Sequence, residues 1–346
     1  MSHGAPGPAK YALIAAISLF WGLNWPAVKT ILAQVPPISL RAIGFTSGAL
    51  LMLGMARLLR HRLTVDRAEI PALLLAGLLN VLVFNLCTAF GQQVMATSQA
   101  AIIAFTMPVW ATLLAMLFLS EQPKPRQIVG LVCGIGGLLV LLGPEALSAP
   151  PSAFVGPALM LTAAISWALG TIVMKRRTWR AHPMVITGWQ YAASALPMLA
   201  LAAFETRPAV ADLRWVVWVA FVWHIALSVC AAQVLWYVTI RRLSVGEAAV
   251  STLLIPVVGV SGAVMLLNDP VSVRLGLALL LVLCAVASVL GTFSGAAASR
   301  WPLRFRGVVQ RACGGASAIG CTADDESRQR GRKPSEVAVV PVSPEQ

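Results

Sequence analysis

Residues 98–126 read SQAAIIAFTMPVWATLLAMLFLSEQPKPR, and residues 246–274 read GEAAVSTLLIPVVGVSGAVMLLNDPVSVR, a match at a constant offset of 148 positions. Both stretches open with a pair of alanines near the start, carry a proline within an apolar run, and close with an acidic residue and an arginine. The matched side chains are Pro108 and Pro256, Glu121 and Asp269, and Arg126 and Arg274. This repetition predicts that the chain consists of two homologous halves.

Most of the chain is apolar. Hydrophobic residues make up 58% of the 346 residues, charged residues make up 11%, and the mean hydropathy is +0.80. Soluble domains usually carry about twice that charged fraction. A water-soluble fold of this length has too much surface to bury so many apolar side chains. The composition therefore predicts a protein that is embedded in a lipid bilayer.

Ten apolar runs are long enough to cross a membrane as helices, because a hydrocarbon core of about 30 Å needs roughly 20 helical residues. Each run is interpreted as a helix, since backbone polar groups that face lipid must bond within their own segment. The runs are 11–32, 37–59, 70–91, 96–119, 127–143, 154–174, 183–204, 214–238, 244–267 and 273–293. We expect an all-α polytopic membrane protein whose ten transmembrane helices form two inverted five-helix repeats.

The expected organisation has four parts. Residues 1–10 form a short cytoplasmic N-terminus, residues 11–143 the first repeat, and residues 154–293 the second. Because each repeat holds an odd number of spans, the second enters the membrane from the opposite side. Residues 296–346 are polar and basic without a periodic pattern, which predicts a disordered cytoplasmic tail.

Basic residues concentrate in every second gap between the apolar runs. The gap after the second run contains Arg57, Arg60, Arg62 and Arg67, whereas GQQVMATS after the third run has no charge. By the positive-inside rule, the basic side is the cytoplasm. We therefore expect a multi-pass protein of the cell (inner) membrane with both termini in the cytoplasm. The net charge of +13 follows from this orientation and the tail, so nucleic acid is not an expected partner.

The first run contains an unusual group of side chains in SLFWGLNWPAVKT, residues 18–30. Helical spacing places Trp21, Asn24 and Trp25 on one stripe. Facing lipid, the Asn24 amide would lack hydrogen-bond partners, which costs a few kcal/mol. We therefore expect this stripe to face the bundle interior and to line a binding site. Lys29 lies nearer the outer end, where it either snorkels to the interface or binds a substrate carboxylate.

The matched prolines indicate a transport site, because each frees a backbone carbonyl near the bilayer midplane. Inverted repeats with interrupted helices at matching positions are typical of secondary transporters; the alternative is that the prolines only shape helix packing. The candidate substrate-binding residues are Trp21, Asn24, Trp25, Asn85, Thr106, Pro108, Trp110, Trp167, His224, Gln233 and Pro256. Trp21 and Trp167, and Asn85 and Gln233, lie at equivalent positions of the two halves.

Several polar and aromatic side chains have two possible roles. His224 is either a neutral ring bonded to a helix carbonyl or a proton carrier. Arg41 either pairs with an acidic headgroup or attracts an anionic solute. Trp215 and Trp218 are expected in the outer aromatic belt, and Trp236 in the inner one.

None of the 13 Asp and Glu residues lies in the middle of an apolar run. Proton-driven exchangers generally rely on an intramembrane acid. Here only His224, or Glu247 at the start of the ninth run, could take that role, so we expect weak or no proton coupling. A lining of indoles and amides fits a neutral or zwitterionic solute, with amino acids as the first expectation. The alternative is a flippase for lipids or lipid-linked sugars, for which Arg41 and Lys29 are the candidate phosphate ligands.

An integral-membrane enzyme is not expected, because no cluster of His, Asp and Glu suited to catalysis is visible in the sequence. The six cysteines show no metal-ligand spacing, and no cofactor is expected. The expected partners are a small-molecule substrate and the lipid bilayer. The sequence leaves the oligomeric state open.

Residues 11–293 resemble the EamA branch of the drug/metabolite transporter superfamily. The similarity lies in FWG at residues 20–22, in the paired alanines ahead of Pro108 and Pro256, and in the acids that close those helices. The family usually has a Gly-Glu pair there, where this chain has Ser120-Glu121 and Asn268-Asp269. The resemblance implies a ten-helix inner-membrane carrier that exports or imports small metabolites such as amino acids, sugars or organic cations.

Overall fold

The chain is all-helical in the computed structural model, which describes residues 7–119, 124–206, 209–242 and 245–290. No strand occurs in those ranges. Nine helices in this part of the chain are long and apolar enough to cross a membrane, and the shorter apolar helix Thr252–Leu267 adds a tenth. The predicted all-α fold with ten membrane spans is therefore confirmed. The predicted tail, residues 296–346, lies outside the described residues.

Six of the ten spans are continuous α-helices and four are divided. The continuous ones are span 2 (Pro37–Leu58), span 5 (Pro125–Leu142), span 6 (Val155–Lys175), span 7 (Pro183–Ala202), span 9 (Val245–Leu267) and span 10 (Val273–Leu290). The divided ones are span 1 (Gly7–Gly22, Asn24–Leu32), span 3 (Ile70–Ala76, Gly77–Val83, Phe84–Val94), span 4 (Thr97–Ala104, Met107–Leu119) and span 8 (Trp215–Val222, Trp223–Ala231, Ala232–Arg242). Short 3₁₀ turns lie in the connections at Pro144–Ser148, Pro151–Phe154 and Val210–Asp212.

The contacts between spans follow the relation between the two halves. Span 2 packs along span 7, and span 5 along span 10, so each pair joins equivalent helices of the two repeats. Span 1 packs against spans 8 and 9, and correspondingly span 6 packs against spans 3 and 4. The repeats are therefore interleaved, and helices of both halves meet in the middle of the bundle.

Polar contacts also join connections that we expect on the same side of the membrane. Arg180 pairs with Asp66 at 3.0 Å, which links the connections after spans 2 and 6. At the other end, Arg274 donates to both carboxylate oxygens of Glu145, at 2.7 and 2.8 Å. This hydrogen-bonded guanidinium holds the pKa of the Glu145 carboxyl below its usual range. Odd-numbered connections thus meet odd ones and even meet even, as an alternating topology requires.

In two of the divided spans, the first helical segment ends four residues before a proline. Within a helix, a proline ring excludes the carbonyl of the residue four positions earlier. In span 1 the first segment ends at Gly22, four residues before Pro26. In span 4 the first segment ends at Ala104, four residues before Pro108. Both interruptions therefore lie at the residue whose carbonyl the proline ring excludes.

The matched Pro256 behaves differently, because span 9 continues through it. Thr106 offers a reason for the difference: its backbone N–H and its hydroxyl both donate to the Ile103 carbonyl, at 3.1 and 2.6 Å, and this local pairing stabilises the turn at the break. The equivalent position of the second half is Leu254, whose side chain has no donor. The expected symmetric interruption is therefore found in one half only.

Spans 3 and 8 carry π-helical segments at equivalent positions, Gly77–Val83 and Trp223–Ala231. Such segments widen the helix and leave backbone carbonyls poorly paired, and they occur frequently at functional sites. In each half a side chain from another span supplies a donor. Ser166 donates to the Leu79 carbonyl at 2.8 Å, and Trp21 donates to the Ser228 carbonyl at 3.2 Å. The π-helical segments are therefore fixed by contacts between the two repeats.

The carboxylate of Glu205 caps the N-terminal end of span 2. Glu205 itself lies in the connection after span 7. The two Glu205 oxygens accept from the backbone N–H groups of Ile38 and Ser39 at 3.3 and 2.7 Å, and from the Ser39 hydroxyl at 2.7 Å. A carboxylate here satisfies free N–H groups and complements the helix dipole. We expect Glu205→Ala to lower the free energy of unfolding by about 1–2 kcal/mol, measured by denaturation in detergent. Asp212→Ala, at an exposed acid, is the control and should change little.

Candidate functional site

Five polar side chains from spans 1, 2, 3 and 8 lie close together inside the bundle, and we call them the buried polar cluster: Asn24, Arg41, Asn85, Thr88 and His224. His224 is 4% exposed, and its Nδ1 lies 2.7 Å from Asn24 Oδ1. Because an amide oxygen only accepts, the ring nitrogen donates in this contact. The bond joins span 1 of the first repeat to the π-helical segment of span 8 in the second.

Arg41 is the charged member of the buried polar cluster. Its side chain is 2% exposed, its Nε donates to the Asn85 carbonyl at 2.9 Å, and its Nη2 donates to the Thr88 hydroxyl at 3.3 Å. No carboxylate within the described ranges pairs with it. The expectation that Arg41 pairs with a lipid headgroup is wrong, because the guanidinium points towards span 3 and not towards lipid.

Glycines bring the cluster and its counterpart in the other half into close contact. A Cβ atom on Gly44, in span 2, would lie 3.0 Å from His224 Nε2. In the other half the order is reversed: a Cβ on Gly77, in span 3, would lie 3.3 Å from the Gln190 side chain of span 7. Each π-helical segment therefore meets its neighbour through one glycine and one polar side chain.

Lys29 has a partner that neither sequence interpretation foresaw. Its ammonium donates to the Gln92 carbonyl and, at 3.3 Å, to the Met95 carbonyl. Both carbonyls lie at the C-terminal end of span 3, where helix geometry leaves acceptors free and favours a cation. Lys29 therefore ties the end of span 1 to the end of span 3.

The tryptophans of span 1 face the bundle, as the stripe predicts. Trp21 packs against Trp236 of span 8 with 5.8 Å between ring centroids. Trp25 is 8% exposed and lies 5.9 Å from the Phe105 ring, centroid to centroid. A Cβ on Gly259 of span 9 would lie 3.3 Å from Trp25. Trp25 is thus held between spans 4 and 9, which carry the matched prolines. The ring of Trp236 packs on Trp21, and its position in the inner aromatic belt stays a prediction.

Trp215 and Trp218, in contrast, are 76% and 46% exposed, as residues of an aromatic belt should be. Trp110 and Thr106 form a local pair in span 4, in which the indole N–H donates to the fully buried Thr106 hydroxyl at 3.0 Å. Pro108 lies between them and is half-buried.

The remaining predicted residues lie inside the bundle, and Asn85 contributes to the cluster through its main-chain carbonyl, which accepts from Arg41. Asn85 uses its amide to donate to the Val81 carbonyl at 2.8 Å, within its own span. Trp167 and Gln233 are half-buried in spans 6 and 8, and Pro256 is buried in span 9. The predicted set therefore includes one side-chain pair between the repeats, Asn24 and His224, and one local pair within span 4, Thr106 and Trp110.

Three partners were not predicted from the sequence: Thr88, Ser228 and Phe105. Thr88 follows Asn85 at a spacing of three, which places both on one helix face, so that spacing was available as a signal. Ser228 contributes a main-chain carbonyl, for which the sequence holds no signal. Within the described ranges, no group of three His, Cys, Asp or Glu side chains is arranged to hold a metal ion.

The comparisons with known proteins agree with this architecture. The model of the EamA-like transporter family matches residues 9–143 and 154–291. The uncharacterized transporter YoaV of Bacillus subtilis is 24% identical over 282 residues, covering 81% of this chain and 96% of that protein. The probable amino-acid metabolite efflux pump of Salmonella typhimurium is 24% identical over 274 residues, covering 74% and 86%. One crystal structure of another protein shares the fold, with a TM-score of 0.57 and 21% identity over 81% of this chain and 96% of that one.

The family model matches the chain twice, once in each half, and the two matches together extend over all ten spans except the first two residues of span 1. The helical fold, the membrane spans and the relatives all indicate the same class of protein. The chain belongs to the EamA-like transporter family of the drug/metabolite transporter superfamily and is a multi-pass membrane transporter.

Proposed function

We propose that the protein is a secondary transporter that exports a small polar metabolite, with amino acids and related compounds as its substrate class. Transport proceeds by alternating access around a site at the interface of the two repeats. The protein works in the inner membrane with both termini in the cytoplasm, and it performs no catalytic chemistry. The predicted repeat boundaries and candidate residues are part of this proposal.

The observation that carries the proposal is the hydrogen bond between Asn24 and His224. It places donors and acceptors in the bundle interior at a contact between the repeats, which is where inverted-repeat transporters bind their substrates. The indoles of Trp21 and Trp25 lie on the same stripe of span 1 and add rigid apolar surface. Such a combination of few polar groups and aromatic walls is typical of small-molecule sites.

The substrate class rests on charge. The acids within the described ranges all lie at helix ends or in connections: Asp66, Glu69, Glu145, Glu205, Asp212, Glu247 and Asp269. The interior of the bundle therefore offers amide, hydroxyl and cationic groups, which suit a solute with a carboxylate better than an organic cation. The name of the Salmonella typhimurium relative, an efflux pump for amino-acid metabolites, supports the same class.

No observation favours the flippase alternative. A lipid carrier would need basic residues along a lateral groove, and the two candidates were Arg41 and Lys29. Both donate to main-chain carbonyls of span 3. Neither is placed to bind a phosphate that enters from the bilayer.

Counterflow in proteoliposomes tests the proposal. Vesicles that contain the purified protein are loaded with a mixture of amino acids, and the entry of each labelled one is followed. We expect saturable entry that an imposed pH gradient leaves unchanged, because no mid-span carboxylate is present to carry a proton. Vesicles without protein are the blank. Entry that depends steeply on the pH gradient would contradict the absence of coupling, and no entry of any amino acid would contradict the substrate class.

A further inference from the structure

We propose that Arg41 binds the carboxylate of the transported solute. This inference rests on the proposed function, since it assigns one subsite within the same transport site. It also defines the substrate class more narrowly: the solute must carry a carboxylate, whereas an amino group is less important.

The first reason is that Arg41 is a buried charge without a counter-charge. Arginine stays protonated in proteins, and a buried cation inside a membrane protein is normally paired with an acid or is functional. Arg41 is 2% exposed, lies within a membrane span, and has a carbonyl and a hydroxyl as its hydrogen-bond partners. The phenol of Tyr191 is near enough to interact with it electrostatically, but this group is uncharged at neutral pH and supplies no counter-charge. The missing negative charge is supplied by a solute.

The second reason is the number of donors. A guanidinium has five N–H groups in a planar fork that matches a carboxylate with two parallel hydrogen bonds. The contacts with Asn85 and Thr88 use one Nε–H and one Nη2–H. Three N–H groups have no partner within the described ranges. The contacts that exist hold the guanidinium in place, so that the remaining edge is oriented before the solute arrives.

The third reason is the position of Arg41 in the bundle. It lies one helical turn from Gly44 on span 2, and Gly44 contacts the His224 ring that bonds Asn24. His224 lies near enough to Arg41 for the two side chains to interact electrostatically. A small solute bound to Arg41 would therefore reach the Asn24–His224 contact between the repeats.

The alternative is that Arg41 only links spans 2 and 3. The two roles predict opposite effects of removing the charge. A structural link would be lost, so the ligand-free protein would become less stable. A binding residue whose charge is unpaired costs stability in the ligand-free state, so Arg41→Gln should leave the melting temperature unchanged or raise it.

The first test uses the unmodified protein. The best-transported amino acid competes in counterflow with its own carboxamide, in which the carboxylate is neutralised, and with the acid that lacks the amino group. We expect the carboxamide to compete at least about tenfold more weakly than the amino acid. The deaminated acid should compete more strongly than the carboxamide, because it keeps the carboxylate. Equal competition by the carboxamide overturns the proposal, whatever the variants do.

The second test compares Arg41→Gln with Arg41→Lys and with Arg57→Gln. Arg57 is an exposed arginine at the other end of the same span, so it controls for loss of charge on that helix. We expect Arg41→Gln to lose the discrimination between amino acid and carboxamide, Arg41→Lys to retain part of it, and Arg57→Gln to keep all of it. The proposal is overturned if a folded Arg41→Gln protein still discriminates between the amino acid and its carboxamide. It is also overturned if the melting temperature of ligand-free Arg41→Gln is lower than that of the parent.

The experiments distinguish a failure of the Arg41 subsite from a failure of the proposed function. If amino acids are transported and Arg41→Gln discriminates normally, the function stands and the subsite is wrong. If no amino acid is transported, the function fails, and simple carboxylates and their amides are compared as stabilising ligands in thermal unfolding. Stabilisation by acetate or benzoate but not by the amides, lost in Arg41→Gln, supports the subsite; no difference between acids and amides overturns it.

Discussion

Asn24→Ala and His224→Ala are each expected to slow counterflow about tenfold or more. Either substitution leaves the other side chain buried without its hydrogen-bond partner, at a cost of about 1–3 kcal/mol. The same loss in solute binding corresponds to a factor of about 10 to 100 in affinity. The measurements are the initial rate of counterflow and the midpoint of unfolding in detergent, which should both fall.

A double variant separates binding from stability at this pair. Asn24→Leu with His224→Phe replaces both polar groups by apolar ones of similar shape, which can be nearly neutral for stability. We expect its unfolding midpoint to recover towards that of the parent while counterflow stays slow. A double variant that transports as fast as the parent would show that the pair is only a structural contact. Trp215→Phe, at an exposed residue of span 8, is the control and should change neither quantity.

Gly22→Ala is expected to have the second large effect, through the crossing of spans 1 and 9. A Cβ atom at residue 22 would lie 2.6 Å from the Cβ of Val258 and 3.0 Å from the Ile255 carbonyl. The backbone of span 9 cannot yield without moving the helix, so we expect a loss of about 1–3 kcal/mol. Counterflow should fall as well, because the displacement moves Trp21 and Trp25. Denaturation in detergent and counterflow measure the two effects.

Gly276→Ala is the matched control, since a Cβ atom at this position of span 10 would have no neighbouring atom within 4 Å. Alanine is the better helix former, by about 1 kcal/mol in soluble helices, so the stability of this variant should be unchanged or slightly higher. Combining Gly22→Ala with Val258→Gly removes the valine side chain that the new methyl group would meet, and should restore part of the stability. If Gly22→Ala alone is harmless, spans 1 and 9 do not pack as closely as the structure shows.

The number of spans and the two-repeat fold could be predicted because lipid imposes a simple condition on the chain. Every segment in the bilayer must be apolar and must satisfy its own backbone, so length and hydropathy were sufficient. The constant offset between the matched stretches around Pro108 and Pro256 indicated that the chain is duplicated. The prediction that Asn24 faces the bundle interior was made in the same way, since an amide has no hydrogen-bond partner in lipid.

The partner of each buried polar group could not be predicted in this way. Asn24 and His224 are separated by 200 positions, and nothing in either run indicates which helix face meets which. Arg41 illustrates the limit: the sequence placed it near the outer end of a span, but its contact with Asn85 depends on the rotation of span 2 against span 3. Hydropathy indicates how deep in the membrane a residue lies. The hydrogen-bond partner of that residue depends on the direction in which its side chain points.

The sequence by itself determined the helical class, the ten spans, the duplication and the set of polar residues at membrane depth. Only the tertiary structure decided that span 9 continues through Pro256, that spans 3 and 8 carry matched π-helical segments, and that Arg41 lacks a counter-charge within the described residues. The physical reason is that transfer into lipid is a property of each segment alone. Helix rotation, close approach at Gly22 and Gly44, and the pairing of polar groups are settled only when all the helices pack together.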